Sequence, residues 1–418
     1  MLERISDVRP NSTLYALQGS LEVELLLQSA LRRARRADFS DRSFCRSLEQ
    51  LLTACYEEAE LNVLGAWALR FDVLRCLRNL LRFEELEARR PALLAAPVRA
   101  PVFITGMPRS GTTFLHRLIL QDPNTVAPTL FQLMHPGLPP ESAIAASLRR
   151  NTLRLQLRLF RAIAPELHAL HPIGIDEPEE CTDILAHVFH SSRFESTYRI
   201  PTYGAWLHAT GFLDAYRFHR RFLQHLQARF PERRWILKSP DHVFALDDLK
   251  TIYPDARLII VHRDPVRVLA SVARLTEVLR RPFTRRLDPI EIGREVTAAW
   301  IEGTRRMSAL PFNEGSVLHL RYEEIVSQPL QTLETVYRHC GLTLTEEAER
   351  RMCRWLNRIS AAAHRPRRYD LNYFGLDPHS LRASFAHYTE RYRVPIESER
   401  ADRTSVRALP RPLARRTS

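Results

Sequence analysis

An apolar run that leads into a glycine-containing loop and then into a helix constrains the fold most strongly. Residues 101–121 read PVFITGMPRSGTTFLHRLILQ, with Gly106 and Gly111 five positions apart, as in the phosphate-binding pattern G-x-x-x-x-G-K-[ST]. Thr112 stands where that pattern has lysine, and Arg109 lies earlier in the loop. The stretch predicts a buried strand, a phosphate loop and a helix N-terminus that lack the usual lysine.

Three later apolar runs, at 235–240, 256–265 and 316–325, also end in polar residues. Helical patterns separate them, at 244–253, 265–281 and 329–340. Strands that alternate with helices predict an α/β fold of the P-loop type, with a mostly parallel sheet covered by helices. Ligands of such sheets bind at the carboxyl ends of the strands, where the sequence places Arg109, Ser110, Lys238, Ser239, Arg263, Arg321 and Tyr322.

The segments around this sheet predict additional parts of the chain. Residues 1–98 are expected to form an N-terminal helical region, because apolar residues recur there at three- and four-residue spacing. The main domain is expected at 99–395, with a helical lid inserted at 142–230. Residues 396–418 read as a basic, mobile tail.

Composition excludes several classes of protein. No run of eighteen apolar residues predicts a membrane-spanning helix, and the first residues contain no apolar segment typical of a secretory signal. The six cysteines are scattered without a C-x-x-C pair, which favours reduced thiols in a cytoplasmic protein over disulfides or a zinc site. Nothing in the pattern predicts an oligomeric state.

The net charge of +13 indicates anionic ligands. Nucleic acid is disfavoured, because the chain lacks the interleaved aromatic and basic residues of RNA-binding modules. Lys238 and Lys250 are the two lysines, although lysine and arginine together number 61. A lysine retained in such a chain favours a position that needs a compact point charge.

The loop at 108–113, PRSGTT, is rich in anion donors. Its glycines let successive backbone N–H groups point inward, the helix adds its positive end, and Ser110, Thr112 and Thr113 add hydroxyls. No aspartate ends a neighbouring strand to hold magnesium, so no metal is predicted. The ligand is therefore expected to carry a short phosphate chain. An ordinary strand–turn–helix with two chance glycines is the alternative.

A second anion site is predicted at Arg263. Asp264 and Pro265 begin the next helix, and Ser271 lies two turns into it. A guanidinium fork and a hydroxyl suit an isolated phosphate. The alternative is a structural ion pair of Arg263 with Asp264 or Glu324.

These motifs together resemble the sulfotransferases that use 3′-phosphoadenosine 5′-phosphosulfate (PAPS), in their large bacterial branch. PRSGTT resembles the 5′-phosphosulfate loop of that family, and RDPVRVLAS at 263–271 resembles its 3′-phosphate motif. Further similarity lies in LKSPDH at 237–242, YPDARLIIVHRDP at 253–265, RYEEI near 321 and RRYDLNYFGL at 367–376. The resemblance extends from about residue 15 to 393.

The resemblance implies PAPS as the donor and assigns roles by position. Residues 110–113 (Ser110, Gly111, Thr112 and Thr113) would bind the 5′-phosphate, and Arg109 would contact the bridging and sulfuryl oxygens. Lys238 would approach the sulfuryl group, while Arg263 and Ser271 would hold the 3′-phosphate. Arg367 and Arg368 are candidates for a loop that closes over that phosphate. The activity implied is metal-free, in-line transfer of a sulfuryl group to a hydroxyl or amine.

The general base is less clearly indicated. Relatives often have an acid a little over twenty positions after the phosphate loop, where this chain has Gln132, which cannot accept the proton. Glu177 or Glu180, in GIDEPEECTD at 174–183, are the first candidates; His135 and His242 are the others. The acidic run also suits a plain helix start.

Two other functions are kept as alternatives, a P-loop small-molecule kinase and a non-catalytic protein that binds anions or nucleic acid. The missing lysine and missing magnesium carboxylate disfavour the kinase, and only the net charge favours the binding protein. The acceptor is left as a small molecule, a lipid or a carbohydrate. Apolar stretches such as LRLQLRLF within 142–230 suit a partly apolar acceptor but also a buried helix face.

Overall fold

The computed structural model describes Leu14 and residues 17–136, 143–171, 173–310, 315–361 and 369–397. At the centre lies a five-stranded sheet in the order β2-β3-β1-β4-β5, and every strand pair in it is parallel. The strands are β1 Val102–Gly106, β2 Thr125–Val126, β3 Arg234–Lys238, β4 Arg257–His262 and β5 Val317–Arg321.

Strand β1 occupies the middle of the sheet and carries the phosphate loop at its carboxyl end. Ile104 is in register with Lys238 of β3 on one side, and Gly106 is in register with Val261 of β4 on the other. Since all strands run in the same direction, Lys238 and the residue after β4, Arg263, end on either side of the loop. The predicted α/β fold with a parallel sheet is therefore confirmed. The two-residue strand β2 was not predicted.

Alternating side chains of the strands enter two separate hydrophobic cores, one on each face of the sheet. Phe103 of β1 belongs to the larger core, and its neighbours Val102 and Ile104 belong to the smaller one. This alternation follows from the two-residue period of a strand. Both faces are covered by helices, as parallel sheets require.

The helices connect these strands and extend the domain at both ends. Their bounds are α1 Val23–Ala34, α2 Cys45–Glu57, α3 Val63–Arg89, α4 Thr112–Ile119, α5 Leu130–Met134, α6 Ala143–Ile163, α7 Leu167–Leu170, α8 Thr182–Leu185, α9 Arg193–Thr197, α10 Pro201–Thr210, α11 Leu213–Gln227, α12 Leu246–Ile252, α13 Pro265–Arg280, α14 Pro289–Ala309, α15 Tyr322–Ser327, α16 Pro329–Cys340, α17 Glu346–Ala361, α18 Pro378–Ser384 and α19 Ala386–Arg391. Short 3-10 helices lie at Pro91–Ala95, Ala186–Val188, Pro240–Ala245 and Asn372–Phe374.

The N-terminal helices α1 to α3 do not form a separate core. Their buried residues, such as Leu48 and Leu77, belong to the same hydrophobic cluster as Phe103 of the central strand. The C-terminal segment is held by buried Tyr388 of α19 and by Tyr392, whose rings pack beside His262 at the end of β4. Both ends of the described chain are therefore packed onto the sheet domain.

The six cysteines all lie within the described ranges, and none forms a disulfide. None of the described helices combines the length and the apolar composition that crossing a bilayer requires.

Candidate active site

Two glycines shape the loop after β1 because neighbouring atoms leave no room for a side chain. Gly106 has φ +129°, and a Cβ placed on it would lie 2.2 Å from the carbonyl oxygen of Val261. Gly111 has φ +93°, and its Cβ would lie 2.9 Å from the ring of Tyr322. Both backbone conformations are ones that side-chain-bearing residues rarely adopt. The loop therefore curls tightly before helix α4 begins at Thr112.

The inside of this loop carries polar groups suited to an anion. Ser110 is fully buried, and its hydroxyl has no hydrogen-bond partner among the described residues. Thr112 is also buried, at the first turn of α4, and Thr113 is half-buried beside it. A buried hydroxyl without a partner is costly unless a ligand satisfies it. These donors, with the positive end of α4, fit a phosphate group.

Arg109 stands at the rim of the loop in the left-handed conformation, with φ +63°. Its Nη1 donates a hydrogen bond to the carbonyl oxygen of Leu170, 2.8 Å away. Burial, with a contribution from nearby Arg263, lowers the pKa of Arg109. The side chain is thus held between the loop and the segment 167–171, where an added negative charge would pair with the guanidinium.

Lys238 ends strand β3 and is almost completely buried. Its Nζ donates a hydrogen bond to Oε1 of Glu180, with which it forms an ion pair. Burial works against ionisation of Glu180, but the charges of Lys238 and His171 outweigh it and hold the pKa of Glu180 below its ordinary value. The structure therefore brings together two residues that the sequence assigned to the reaction, one cation and one candidate base.

Arg263, directly after β4, forms a closer link to the phosphate loop than the sequence indicated. Its Nη1 donates to the carbonyl oxygen of Arg109 at 2.7 Å, and its guanidinium lies 3.7 Å from the ring centroid of Tyr322. The same ring packs against Gly111. The two predicted anion sites are therefore neighbours, bridged by one backbone carbonyl and one aromatic ring.

The carboxylate that pairs with Arg263 is neither of the two considered from the sequence. Nε and Nη2 of Arg263 donate to the two carboxylate oxygens of Glu397, at 2.7 and 2.9 Å. Asp264 instead caps α13, accepting from the backbone N–H of Val266 at 3.0 Å, and Glu324 pairs with Arg321. A pairing with Asp264 or Glu324 is therefore wrong, because local capping occupies both acids.

Ser271 is buried on helix α13, two turns beyond Arg263. Arg267 lies on the same helix, and its Nε is 4.0 Å from the carboxylate of Glu397. Glu397 therefore occupies a position where Arg263 and Arg267 converge. Arg367 and Arg368, predicted to close over this position, lie outside the described residues.

The other candidate bases lie in different surroundings. Glu177 is exposed and pairs with Arg117 at 3.3 Å. Gln132, which replaces an acid, completes a capping box at the start of α5, where its side chain accepts from the backbone N–H of Thr129 at 2.9 Å. His135 ends α5, half-buried beside Phe131.

His242 is enclosed in the core instead of lining a cleft. It is 1% exposed, its Nδ1 hydrogen-bonds the hydroxyl of Tyr216, and its ring packs edge-on against Phe103. Burial, together with His219 and Lys238, holds the pKa of His242 well below its ordinary value. The histidine is therefore neutral and positioned as a core residue.

The sequence did not single out Asp241, whose pKa Lys238 influences, or Glu195, whose pKa Asp241 influences. Desolvation raises the pKa of Asp241 to about 6, although a hydrogen bond from Ser192 opposes the shift, and the charges of Glu180 and Lys238 also act on it. Desolvation and the charge of Asp241 raise the pKa of Glu195 to about 8. Only their burial distinguishes them from ordinary surface acids, and burial is not visible in the sequence.

A contact between His171 and Glu179 connects the acidic segment around Glu180 to a small cleft. His171 lies 3.3 Å from Glu179, and although burial lowers its pKa, the hydrogen bond to Glu179 raises it above the ordinary value. The cleft beside His171 is otherwise lined by Arg161 and by four apolar side chains of α6 and the following segment, Leu157, Phe160, Leu167 and Ile173. This cleft, about 10 Å³ in volume, lies next to the acidic segment that contains Glu180.

Comparison with known proteins identifies the family. The model of the sulfotransferase family matches residues 101–346, which include the phosphate loop, Lys238, Arg263 and Ser271. The chain belongs to the sulfotransferase family. The family resemblance predicted from the sequence is thereby confirmed, and family membership favours neither a kinase nor a nucleic-acid-binding protein.

Solved sulfotransferases share the fold across almost their full length. STF1 of Mycobacterium tuberculosis is 30% identical, with a TM-score of 0.74, over 88% of this chain and 98% of its own. STF9 of Mycobacterium avium is 25% identical, with a TM-score of 0.79, over 90% and 98%. The N-terminal helices and the sheet domain of this sulfotransferase therefore both fall within the shared architecture.

A curated relative carries a more specific name. The omega-hydroxy-beta-dihydromenaquinone-9 sulfotransferase Stf3 of Mycobacterium tuberculosis is 28% identical over 256 residues, or 58% of this sulfotransferase. The match spans 63% of the length of Stf3.

Proposed function

We propose that this chain transfers a sulfuryl group from PAPS to a hydroxyl or amine of a partly apolar acceptor, without a metal. The observation that carries the proposal is the adjacency of two anion sites. The loop that contains the unpartnered hydroxyl of Ser110 and the guanidinium of Arg263 are joined through the carbonyl of Arg109 at 2.7 Å. A nucleotide with a 5′-phosphate chain and a separate 3′-phosphate has that charge distribution.

The residues of the loop fit a single phosphate joined to a sulfuryl group. Such a donor has no γ-phosphate for a lysine at position 112 to neutralise, and Thr112 supplies a hydroxyl and a backbone N–H instead. Arg263 and Arg267 fit the second phosphate. Since the carboxylate of Glu397 accepts two bonds from Arg263, we infer that donor binding displaces it.

The chain supplies charge stabilisation and positioning. Bound PAPS would supply a sulfuryl group with a phosphate leaving group. Lys238 would then place its ammonium against the bridging oxygen, and Arg109 would neutralise charge on the sulfuryl oxygens. Lys238 is buried, so its field is weakly screened, whereas Arg109 is exposed at the rim of the loop.

Glu180 is the proposed proton acceptor, because its carboxylate contacts Lys238 and is ionised. A base must lie within hydrogen-bond reach of the acceptor, and the acceptor must approach the sulfuryl group beside Lys238. Among the four candidates, Glu177 pairs with Arg117 at the surface and His242 is enclosed in the core. His135 is retained as the second candidate.

The cleft beside His171, about 10 Å³ in volume, would have to open to admit an acceptor, but its walls are largely apolar. Leu157, Phe160, Leu167 and Ile173 line it, and His171 connects it through Glu179 to the segment of Glu180. The relative Stf3 is named for a hydroxylated menaquinone, which is an amphiphilic alcohol of this type. We therefore propose a lipid-like alcohol as the acceptor. A screen of long-chain alcohols, phenols and sugars for the mass gain of one sulfuryl group tests this choice.

Calorimetry tests the donor. Adenosine 3′,5′-bisphosphate is expected to bind without magnesium, and ATP with magnesium is expected to bind at least about tenfold more weakly, since it lacks the 3′-phosphate. Ser110→Ala should weaken binding of the bisphosphate by about tenfold to a hundredfold, the effect of one hydrogen bond to a charged group. Ser327→Ala, on an exposed helix end, is the matched control. Preferential binding of ATP with magnesium would overturn the proposal.

A further inference from the structure

Helix α6, Ala143–Ile163, carries its most exposed apolar side chains on the side away from the protein. Four of them lie at positions 144, 148, 155 and 159, and their exposed fractions are 82% for Ile144, 67% for Leu148, 56% for Leu155 and 57% for Leu159. At 100° per residue these positions fall within a 60° sector of the helix surface. We call this sector the outer stripe.

The opposite side of α6 holds the helix on the domain. Leu153 is buried in a small core with Phe131 and Ile175, and Leu157 packs against the same core. Arg150 pairs with Asp176 and lies 4.8 Å from the ring centroid of Phe131. The helix is therefore anchored by its inner side, and the outer stripe contributes nothing to these contacts.

All the charged residues of α6 are arginines, because the segment 143–163 contains five arginines and no acid. Arg154 and Arg158, both exposed, border the outer stripe on one side. The guanidinium of Arg154 donates to Asn151 at 2.8 Å, not to a carboxylate. An apolar sector bordered only by positive charge is complementary to an anionic lipid surface.

We propose that the outer stripe docks this protein on a membrane surface that contains anionic lipids. Ile144, Leu148, Leu155 and Leu159 would enter the boundary between headgroups and acyl chains, and the arginines would bind the phosphate layer. Helix α6 would lie in the plane of the surface without crossing it. This inference goes beyond the proposed function, since it would hold for any acceptor.

The inner side of α6 faces the cleft beside His171, so docking through the outer stripe would place this cleft near the lipid. Leu157 and Phe160 of α6 line the apolar cleft beside His171. Docking through the outer stripe would thus bring the cleft within one helix diameter, about 10 Å, of the lipid layer. An acceptor dissolved in that layer would then lie close to the side of the protein that carries Glu180.

Vesicle flotation tests the inference with the full-length chain. The protein is expected to float with vesicles of phosphatidylcholine and phosphatidylglycerol in equal amounts, and much less with phosphatidylcholine alone. The double variant Leu155→Ser/Leu159→Ser should reduce the bound fraction by about fivefold or more, and Arg154→Gln/Arg158→Gln should do the same. Ile290→Ser/Ile301→Ser, on helix α14, is the matched control and should bind as the parent does.

Two further measurements separate docking from other causes. Thermal unfolding and calorimetry with adenosine 3′,5′-bisphosphate should be unchanged in all three variants, because the replaced side chains are exposed. Unchanged vesicle binding by the leucine variant would overturn the proposal, whether or not the arginine variant loses binding. Sedimentation velocity that shows a parent dimer and a monomeric leucine variant would overturn it too, in favour of a second copy on the stripe.

Discussion

Arg263 and Glu397 form a two-bond ion pair although they are 134 positions apart in the chain, with nitrogen–oxygen distances of 2.7 and 2.9 Å. Glu397 is brought there by a C-terminal segment whose Tyr388 and Tyr392 are buried beside His262. Its own backbone N–H donates to Asp264 at 3.0 Å. A carboxylate therefore stands where the proposed function requires the 3′-phosphate of the donor.

Glu397→Gln should tighten the binding of adenosine 3′,5′-bisphosphate by about threefold to tenfold, because the ligand no longer displaces a charged partner from Arg263. Isothermal titration calorimetry measures this directly. Glu390→Gln, an exposed acid seven positions earlier, is the control and should leave the affinity unchanged. An affinity that falls in the Glu397 variant would place the 3′-phosphate elsewhere.

Lys238→Ala should lower kcat by about a hundredfold or more and change the affinity for the bisphosphate, which lacks the sulfuryl group, by less than about threefold. The lysine contacts the group being transferred and the bridge, so its charge matters most in the transition state. Because the variant leaves Glu180 without its cation, its thermal unfolding should be measured beside the assay to show that the fold is retained. If turnover stays within about threefold of the parent, Lys238 does not have this role.

Glu180→Gln should reduce kcat by about a hundredfold if Glu180 accepts the proton. Lys238 and His171 lower the pKa of Glu180, so the carboxylate is ionised throughout the neutral range. The rate should therefore be level above the ordinary glutamate value of 4.5 and fall only below it. Glu177→Gln should leave kcat unchanged. A limb near ~6.5 that disappears in His135→Gln would instead assign the base to His135.

Gly106→Ala should destabilise the fold by more than about 3 kcal/mol, because the new Cβ meets a backbone carbonyl and the positive φ is strained. The carbonyl of Val261, 2.2 Å away, belongs to a strand of the sheet and cannot move aside. Gly19→Ala is the control, since its Cβ meets nothing within 4 Å. Urea unfolding that gives equal stabilities for the two variants would contradict this account of the loop.

Glu195→Gln should change how stability depends on pH. The pKa of Glu195 is raised from 4.5 to about 8, so the folded chain retains its proton more strongly than the unfolded chain. Ionisation therefore costs the parent stability as the pH rises from about 4.5 to about 8, by at most about 1.4 kcal/mol per pH unit. Urea unfolding across this pH range should show that the free energy of unfolding of Glu195→Gln rises relative to that of the parent as the pH increases. A constant difference would mean that Glu195 is not desolvated.

The sequence predicted the parts of the site that depend on local pattern. The glycines, Ser110 and Thr112 lie in one strand–loop–helix unit, and Lys238 and Arg263 end neighbouring strands of the same sheet. It did not predict the partners of the two cations. Glu397 reaches Arg263 only through the path of the C-terminal segment, and pairing of Glu180 with Lys238 depends on how the segment before α8 packs on β3.

Helices α1 to α3 share a hydrophobic core with the central strand, so the two parts of the chain depend on each other for folding. Sequence similarity recognises residues 101–346, yet Leu77 of α3 belongs to the same hydrophobic cluster as Phe103 of β1. A fragment cut at the start of the recognised region would lose the part of that cluster that helices α1 to α3 supply. The region that sequence similarity detects in relatives is thus shorter than the folding unit. Helices α1 to α3 should therefore be kept with the sheet domain when parts of these enzymes are exchanged.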